Sequence, residues 1–327
     1  MVDPYSCGRR AFLGALLALA GSVPLARGAR KTSAPPAAGI QMYTVRSELT
    51  RDFAGTLRTL QSIGYRELEF VGLFGQDLHS VREILRECGL SAPSAHIFPR
   101  VAQDLLRQMA EGRLPVQEAW AKIDSAMQIE HLESLVEEML DQARALGHEY
   151  LVCASIDPKL MASIDGTREV AAAFERAGDL CQKNGLKFAF HPHGDDFQQV
   201  EGQSAVERVL DATTPSRVRL ELDFYWAAVA GVDVPRLLRR YSGRVPLAHV
   251  KDVSKAYPLH GPPSKTIGDE DHFEDVGFGQ LDFEHWVPLG RRAGMRHFFF
   301  ERDVSPDAIA SARRSYAPLQ KLLQESS

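Results

Sequence analysis

The sequence predicts an α/β protein folded as a single (β/α)8 TIM barrel. Extended apolar segments alternate with segments of helical periodicity from residue 39 to residue 323. Eight such pairs in roughly 290 residues match the size of a closed parallel barrel rather than an open sheet. Several extended segments are apolar on one side-chain parity and carry His, Asp, Glu or Lys on the other. This alternation is expected of strands that turn polar side chains toward a barrel interior.

The predicted strands are short apolar runs bounded by polar or turn residues. They occupy residues 39–45, 65–72, 92–97, 149–155, 186–193, 218–226, 245–252 and 297–303. Helical spacing of apolar side chains predicts helices between them, most clearly over 53–63, 78–88, 132–146, 170–181 and 306–323. Two longer polar inserts, 99–122 and 254–279, follow strands. We therefore expect both inserts on the catalytic face of the barrel, as irregular lids or substrate walls.

The first thirty residues differ in composition from the rest of the chain. Arg9-Arg10-Ala11-Phe12-Leu13 precedes an apolar run that ends at Leu25, and small residues follow. This pattern predicts a twin-arginine-type signal peptide over 1–30, a linker over 31–38 and the barrel domain over 39–327. We expect an exported, periplasmic protein without stable membrane insertion after cleavage. The alternative is a retained anchor, although the apolar run is shorter than the roughly 20 residues that span a bilayer.

Charge and composition narrow the function classes. The chain has 38 Lys and Arg against 43 Asp and Glu, and no long basic run occurs, so nucleic acid is not an expected partner. Its hydrophobic share of 44% is typical of globular proteins and excludes a disordered chain. After the signal peptide, Cys88, Cys153 and Cys181 lack the spacing of a metal site, which predicts free thiols. The composition is also compatible with a homo-oligomer.

Four donor side chains share the inward parity near the C-terminal ends of four adjacent strands. They are His191, Asp223, His249 and Glu301. Because functional side chains of such barrels lie at these strand ends, we expect the four to lie close together. Two imidazoles and two carboxylates suit one divalent ion of the Mn, Co, Fe or Zn kind, with positions open for substrate oxygens. For each residue alone, the alternative is an ordinary buried hydrogen bond.

Other inward-facing residues are candidates for substrate contacts. The candidates are Gln41, Tyr43, Glu69, His96 and Trp226. Glu69 and His96 could bind hydroxyls or orient a metal ligand. The alternative for Glu69 is an ion pair with Arg219 or Lys187.

Lys251 and His193 are candidate catalytic residues because each follows a predicted ligand by two positions. The Lys251 ammonium could stabilise developing negative charge or donate a proton. Its alternative role is a plain ion pair with Asp252 or Glu301.

Several segments together resemble the sugar phosphate isomerase/epimerase family of the xylose-isomerase-like TIM-barrel superfamily. They are Gly-Ile-Gln-Met-Tyr-Thr-Val-Arg at 39–46, His-Pro-His at 191–193, Leu-Asp-Phe-Tyr-Trp at 222–226, Ala-His-Val-Lys-Asp at 248–252, Val-Gly-Phe-Gly at 276–279 and Phe-Glu-Arg-Asp at 300–303. The resemblance spans residues 39 to about 320. The superfamily also includes inosose dehydratases and ketose 3-epimerases. The resemblance implies a carbohydrate substrate, catalysis next to a sugar carbonyl, and one divalent ion (Mn, Co, Fe, Zn or Mg) at His191, Asp223, His249 and Glu301.

One position departs from the epimerase pattern. Ketose epimerases of this superfamily use two glutamates as ligands and as an acid/base pair, whereas His191 stands at the first of these positions. We expect a metal-dependent isomerase/epimerase in which Glu301 or His193 removes a proton and an enediolate forms. One alternative is a dehydratase, lyase or hydratase of a keto sugar or inosose-like substrate. The other is a non-catalytic, exported sugar-binding barrel.

Overall fold

Eight parallel strands close into one barrel in a computed structural model that describes residues 35–259 and 272–325. The strands are β1 (Ala38–Gln41), β2 (Glu67–Phe70), β3 (Ser91–His96), β4 (Tyr150–Cys153), β5 (Lys187–Phe190), β6 (Val218–Asp223), β7 (Leu247–Val250) and β8 (His297–Phe300). Each strand pairs with its neighbours in the chain, and β1 pairs with β8. The predicted α/β class and TIM-barrel fold are confirmed.

Helices surround this barrel. They are α1 (Arg46–Arg51), α2 (Phe53–Ile63), α3 (Leu78–Cys88), α4 (Arg100–Ala110), α5 (Val116–Ala126), α6 (Leu132–Leu146), α7 (Ile164–Lys183), α8 (Ala205–Asp211), α9 (Phe224–Val229), α10 (Val234–Arg240), α11 (Phe283–Arg292) and α12 (Ala308–Glu325). Their boundaries follow local chemistry. The Asp77 carboxylate accepts a hydrogen bond from the Ser80 N–H at the start of α3. Gly147, with a φ of 74°, ends α6 as predicted.

The side-chain parity of the strands also agrees with the sequence. Some inward-facing residues of the strands are apolar, and they form a small layer that fills the barrel beneath its polar residues. Its members are Tyr150, Val152, Ala189, Leu247 and Phe299. Alternate residues such as Phe188, Phe190, Phe298 and Phe300 belong instead to the large core between strands and helices. The polar residues above the apolar layer therefore face the open end of the barrel.

The first insert is helical, so the expectation of an irregular segment over 99–122 was wrong. It forms α4 and α5, each preceded by a proline, Pro99 and Pro115. Ala102, Leu106 and Met109 are spaced by about one turn and are buried along α4. These apolar positions are few among charged residues, which is why the segment reads as polar.

Two predicted strands are shorter than expected because helices begin at their ends. After Gln41 the chain continues as a 3-10 helix, Met42–Val45, since the Gln41 side chain accepts a hydrogen bond from the Tyr43 N–H. After Asp223 it continues directly as α9, because the Asp223 side chain accepts from the Trp226 N–H. Tyr225, expected on a strand, therefore lies on a helix.

The second insert is anchored by a buried carboxylate. Asp252–Val253 pairs antiparallel with Phe273–Glu274. Asp252 accepts four backbone N–H bonds, from Val253 (2.8 Å), Gly277 (3.0 Å), Gly279 (3.0 Å) and Leu281 (3.2 Å). Asp252 therefore holds this loop and is not the ion-pair partner of Lys251, which was one alternative. Residues 260–271 lie outside the described residues.

Within the described residues, no helix is long and apolar enough to cross a membrane. The predicted signal peptide at 1–30 and half of the linker, residues 31–34, lie outside the described range. Cys88, Cys153 and Cys181 are free thiols, as predicted.

Candidate metal centre and active site

The polar side chains of the barrel interior meet at the C-terminal ends of the strands. In chain order they are Gln41, Glu69, Ser94, His96, His191, Glu221, Asp223, His249, Lys251, Glu301 and Asp303. All are more than 90% buried. Such a concentration of buried ionisable groups costs folding free energy unless the groups pair or bind a ligand.

His249 is held between two carboxylates. Its Nε2 lies 2.5 Å from Glu69 Oε2, and its Nδ1 lies 2.9 Å from Glu301 Oε2. Glu69 also accepts hydrogen bonds from the Gln41 amide (2.8 Å) and the Ser94 hydroxyl. An ionised carboxylate only accepts hydrogen bonds, so Nε2 carries the proton that faces Glu69. Nδ1 faces the ionised Glu301 carboxylate in the same way, and the surrounding carboxylates raise the pKa of His249 well above its usual value, so Nδ1 also carries a proton when no metal is bound. A cation bound beside Glu301 would displace that proton.

Glu69 therefore orients the imidazole of His249, which is one of the predicted metal ligands. The alternative, an ion pair with Arg219 or Lys187, was wrong. The Lys187 ammonium lies 3.0 Å from Glu149, and the Arg219 guanidinium donates to the Gly243 carbonyl.

Glu221 contacts one ring nitrogen of His191, just as Glu69 contacts one ring nitrogen of His249. The Glu221 Oε2 lies 3.1 Å from His191 Nδ1 and 3.3 Å from His96 Nε2. With Nδ1 donating to Glu221, the lone pair of His191 Nε2 is directed toward Asp223 Oδ2, 4.0 Å away. Glu221 was not among the residues predicted for the site, although it shares the strand parity of Asp223. Its position two residues before Asp223 was the available signal.

Asp223, Glu301 and Asp303 surround the Lys251 ammonium. Its Nζ lies 3.2 Å from Asp223 Oδ2, 2.7 Å from Glu301 Oε2 and 2.8 Å from Asp303 Oδ1. The ion pair predicted as an alternative for Lys251 with Glu301 is therefore present. These carboxylates raise the pKa of Lys251 well above its usual value and outweigh the opposite effect of burial. Lys251 is a cation at neutral pH.

The four predicted ligand residues converge on one place. Asp223, His249 and Glu301 offer donor atoms within 4.8 Å of one another, and so does a second group of His96, His191, Glu221 and His249. His191 thus belongs to the second group, although its Nε2 lies 4.0 Å from Asp223 Oδ2. The orientation of His249 favours the first group, because its Nε2 proton is committed to Glu69.

The chemistry of the donor set fits a divalent cation. Burial raises the pKa of Glu221 to about 7 and also raises the pKa of Asp223. Glu221 Oε1 and Asp223 Oδ2 are buried without a hydrogen bond, even though Asp223 Oδ2 lies near the Lys251 ammonium. Five clustered carboxylates face Lys251, and they also raise the pKa of His96 to about 9 and that of His249 well above its usual value. A divalent cation could replace the charge that these imidazole protons supply. The residues present therefore fit the ion that the sequence predicts.

His193 is a neutral imidazole at the side of the site. Burial, with the nearby Lys251 charge, lowers its pKa to about 3. Its ring accepts a hydrogen bond from the backbone N–H of Asp196. The Asp196 carboxylate accepts a hydrogen bond from the backbone N–H of His193. One ring nitrogen is thereby used as an acceptor, so the other carries the proton. In this arrangement His193 is a hydrogen-bond donor rather than a base.

A cavity of about 210 Å³ lies above these residues. Of the predicted substrate contacts, Gln41, Tyr43, His96 and Trp226 line it, whereas Glu69 lies beneath Gln41 and does not. The predicted catalytic residues Glu301, Lys251 and His193 also line it. Trp226 is 8% exposed, and its indole N–H has no hydrogen-bond partner.

The fold is a (β/α)8 barrel, and a buried cluster of imidazoles and carboxylates lies beneath a cavity large enough for a small molecule. These features are those of a TIM-barrel enzyme class. Residues 57–313 match the family described as the xylose isomerase-like TIM barrel. The chain belongs to that family, and the predicted resemblance is confirmed. Its superfamily is one of enzymes that includes isomerases, epimerases and inosose dehydratases.

Relatives in sequence are inosose dehydratases. The protein of that name from Geobacillus kaustophilus is 29% identical over 202 residues, which cover 60% of this chain and 61% of the relative. The Clostridium perfringens protein is 22% identical over 172 residues, covering 48% of this chain and 57% of the relative. The alignments thus span less than two thirds of either relative.

Solved structures share the fold over nearly the whole chain. A sugar phosphate isomerase/epimerase from Parabacteroides distasonis superposes with a TM-score of 0.68 at 20% identity, covering 91% of this chain and 98% of that one. The IOLI protein, solved with a bound zinc atom, has a TM-score of 0.60 at 14% identity and coverages of 89% and 99%. An L-ribulose 3-epimerase has a TM-score of 0.59 at 14% identity and coverages of 89% and 95%.

Proposed function

We propose that this protein is a divalent-metal-dependent enzyme that removes a proton from the carbon next to a sugar carbonyl. One observation carries the proposal. Glu301 Oε2 contacts the Lys251 ammonium and the His249 imidazole at the inner end of the cavity. A carboxylate base and a cation side by side serve proton abstraction and stabilise the negative charge that follows.

The metal would be held by Asp223, His249 and Glu301, with His191 as a fourth ligand. When bound, such an ion polarises a carbonyl oxygen and lowers the energy of the enediolate. Its identity is left among Mn, Co, Fe, Zn and Mg. Glu69 and Glu221 hold the two imidazoles in the orientation that exposes one lone pair of each.

Different side chains of the protein then carry out the individual proton transfers. Glu301 takes the proton from carbon, and the Lys251 ammonium donates a hydrogen bond to the oxygen that gains negative charge. The ring N–H of His193, whose other nitrogen accepts from the Asp196 backbone N–H, is a donor for a further substrate oxygen.

Elimination from a keto sugar, as in a dehydratase or lyase, is the reaction that this arrangement supports best. Glu301, Lys251 and Asp303 lie together, and His193 is not a base. After Glu301 takes the proton, the electron pair expels a hydroxyl on the neighbouring carbon. That hydroxyl leaves as water with a proton from Lys251, which Glu301 then returns through their 2.7 Å contact. The inosose dehydratase relatives agree with this chemistry.

Isomerisation through the same enediolate is the second candidate, because proton return on the same face also needs only one carboxylate. Inversion by a 3-epimerase ranks third, since it needs a proton donor on each face of the enediolate. The L-ribulose 3-epimerase neighbour shares the fold at 14% identity and does not decide the reaction.

The substrate that fits is unphosphorylated. Among the described residues that line the cavity, Lys251 is the sole Lys or Arg, and three carboxylates already surround it. A phosphate group is normally held by arginine, lysine or backbone N–H groups. The exposed Asp124 and Asp195 at the mouth would repel it.

The test is proton exchange in deuterated water. Metal-loaded protein is incubated with keto sugars, and NMR and mass spectrometry detect deuterium next to the carbonyl and any unsaturated product. We expect exchange that Glu301→Gln reduces about 10² to 10⁴-fold. An inverted product labelled with deuterium would mean that a second base exists. Ligand binding without exchange would favour a non-catalytic sugar-binding barrel.

A further inference from the structure

We infer that the substrate carries an apolar, aromatic substituent beyond its sugar ring and that the outer end of the cavity binds this substituent. The inference rests on the proposed function, because that function places the sugar carbonyl beside Glu301 at the inner end. It adds a second binding region, which we call the outer subsite, and assigns it a ligand chemistry.

The two ends of the cavity differ in chemistry. The inner end is lined by Gln41, His96, His191, Lys251 and Glu301. The outer subsite is lined by Phe98, Trp120, Met127, Ile156, Pro158 and Val229. Pro158 and the nearby Asp124 are exposed, which places this end at the mouth. A sugar alone would satisfy the polar end and leave the apolar walls in contact with water.

The aromatic ring of Trp120 is fixed, and its polar atom is already used. The indole N–H donates to the Tyr43 hydroxyl at 3.2 Å. Its ring centroid lies 5.8 Å from that of Tyr43 and 6.2 Å from that of Phe98, with the Phe98 ring at 84°. Trp120 therefore presents apolar surface to a ligand. Aromatic rings pack well against such edges and faces.

A second sugar ring suits the outer subsite less well than an aromatic ring. The polar groups among these walls are already paired: the Tyr43 hydroxyl accepts from Trp120, and the Ser155 hydroxyl donates to Asp124 Oδ1 at 2.7 Å. Hydroxyl groups buried there would lose water without gaining partners. The walls come from different parts of the chain, α5, the loop after β4 and α9, so they enclose the ligand from several sides.

The experiment compares non-reacting glycosides by titration calorimetry of the metal-loaded protein. The probes are phenyl β-glucoside, methyl β-glucoside and the disaccharide cellobiose. We expect the phenyl glycoside to bind at least about tenfold more tightly than the methyl glycoside, because its ring becomes buried. Cellobiose should bind no more tightly than the methyl glycoside. Equal affinities of the phenyl and methyl glycosides, or tightest binding of cellobiose, would overturn the inference.

Two variants locate the effect. Trp120→Ala should lower affinity for the phenyl glycoside about fivefold or more and change that for the methyl glycoside less than about twofold. Met127→Gln keeps side-chain length but places an amide in the outer subsite, and it should reduce the same preference if Trp120→Ala fails to fold. Val101→Gln, on the exposed side of α4, is the matched control and should keep the preference. A preference that survives both cavity variants would place the phenyl ring elsewhere.

The outcome is separable from that of the proposed function. Deuterium exchange without a phenyl preference would overturn the outer subsite alone. A phenyl preference that depends on Trp120, without exchange of any keto sugar, would overturn the proposed reaction and keep the binding site.

Discussion

The Glu69 carboxylate fixes the ring orientation of His249. The 2.5 Å contact between Glu69 Oε2 and His249 Nε2 places one ring proton against Glu69. The other nitrogen, Nδ1, faces Glu301 and Asp223 at 2.9 and 3.8 Å. A side chain outside the predicted ligand set can therefore affect how well this site would bind an ion.

Glu69→Gln should weaken metal binding about 10 to 100-fold, because an amide holds the His249 ring less firmly. Competition with a chromophoric chelator measures the affinity. Glu67→Gln is the matched control: it lies on the same strand but at the opposite end of the barrel, where it contacts His297. Equal loss of affinity in both variants would contradict the assigned role of Glu69.

Asp223→Asn should abolish binding of the one divalent ion expected per chain. The asparagine oxygen can still accept the Trp226 N–H that begins α9, while the second carboxylate oxygen is lost. Elemental analysis of purified protein gives the metal content, and circular dichroism confirms folding. Metal retained at one ion per chain in Asp223→Asn would remove Asp223 from the ligand set.

Folding stability should fall in mild acid because of His148, which lies outside the metal centre. Its Nδ1 donates to the Ala92 carbonyl at 2.6 Å, and its Nε2 accepts from the Gln142 amide. Burial lowers the pKa of His148 to about 4 from a usual value of 6.5. The unfolded chain therefore binds the proton first, so stability is complete above pH 6.5 and is lost as the pH falls toward 4.

Between pH 7 and 5 this histidine should contribute a loss of about 2 kcal/mol. Urea unfolding at the two pH values measures it in the native chain and in His148→Gln, which cannot titrate. The variant should lose correspondingly less stability over this interval. Identical pH dependence in the two proteins would show that His148 does not titrate on unfolding.

Gly279→Ala should destabilise the loop after β7. A Cβ at this position would collide with Asp252 Oδ1 and with the Val253 carbonyl. Relief requires movement of the carboxylate that accepts four backbone N–H bonds, which should cost about 1–3 kcal/mol. Thermal unfolding measures the effect. A melting temperature equal to that of the native chain would mean that this loop tolerates a different path.

Export is predicted from residues outside the described range. Replacing Arg9 and Arg10 by lysine should leave the precursor in the cytoplasm, because the twin-arginine pattern depends on both arginines. Cell fractionation followed by immunoblotting detects the protein in each compartment. Unchanged export of the lysine variant would reject a twin-arginine signal, and a full-length product retained in the membrane would support an anchor.

The barrel was predictable because its pattern repeats. Alternating parity along residues 186–193 and 245–252 identified both the lumen and its donors, and the structure keeps that parity in Ala189, Leu247 and His249. The helices of the first insert were missed because α4 and α5 bury only a narrow apolar stripe. Such a stripe is weak evidence when charged residues surround it.

The pairing within the site was less predictable. Parity indicates that Glu69 and Glu221 face inward, but it does not say which imidazole each one contacts. That depends on strand stagger and on side-chain rotamers, which bring Glu69 across the barrel to His249, 180 positions away in the chain. The same limit applies to Lys251, whose three carboxylate partners come from two strands.

The junction between β6 and α9 links two properties of the site. One oxygen of Asp223 begins the helix, and the other faces the metal centre, with no residue in between. The helix then places Trp226 and Val229 in the cavity wall. A change in the position of Asp223 would therefore alter both the shape of this cavity wall and the affinity of the predicted site for an ion. An insertion that reshaped the wall here would also displace Asp223 from the predicted metal centre, whereas a change in α5, which carries Trp120, would alter the cavity and leave the predicted ligands in place.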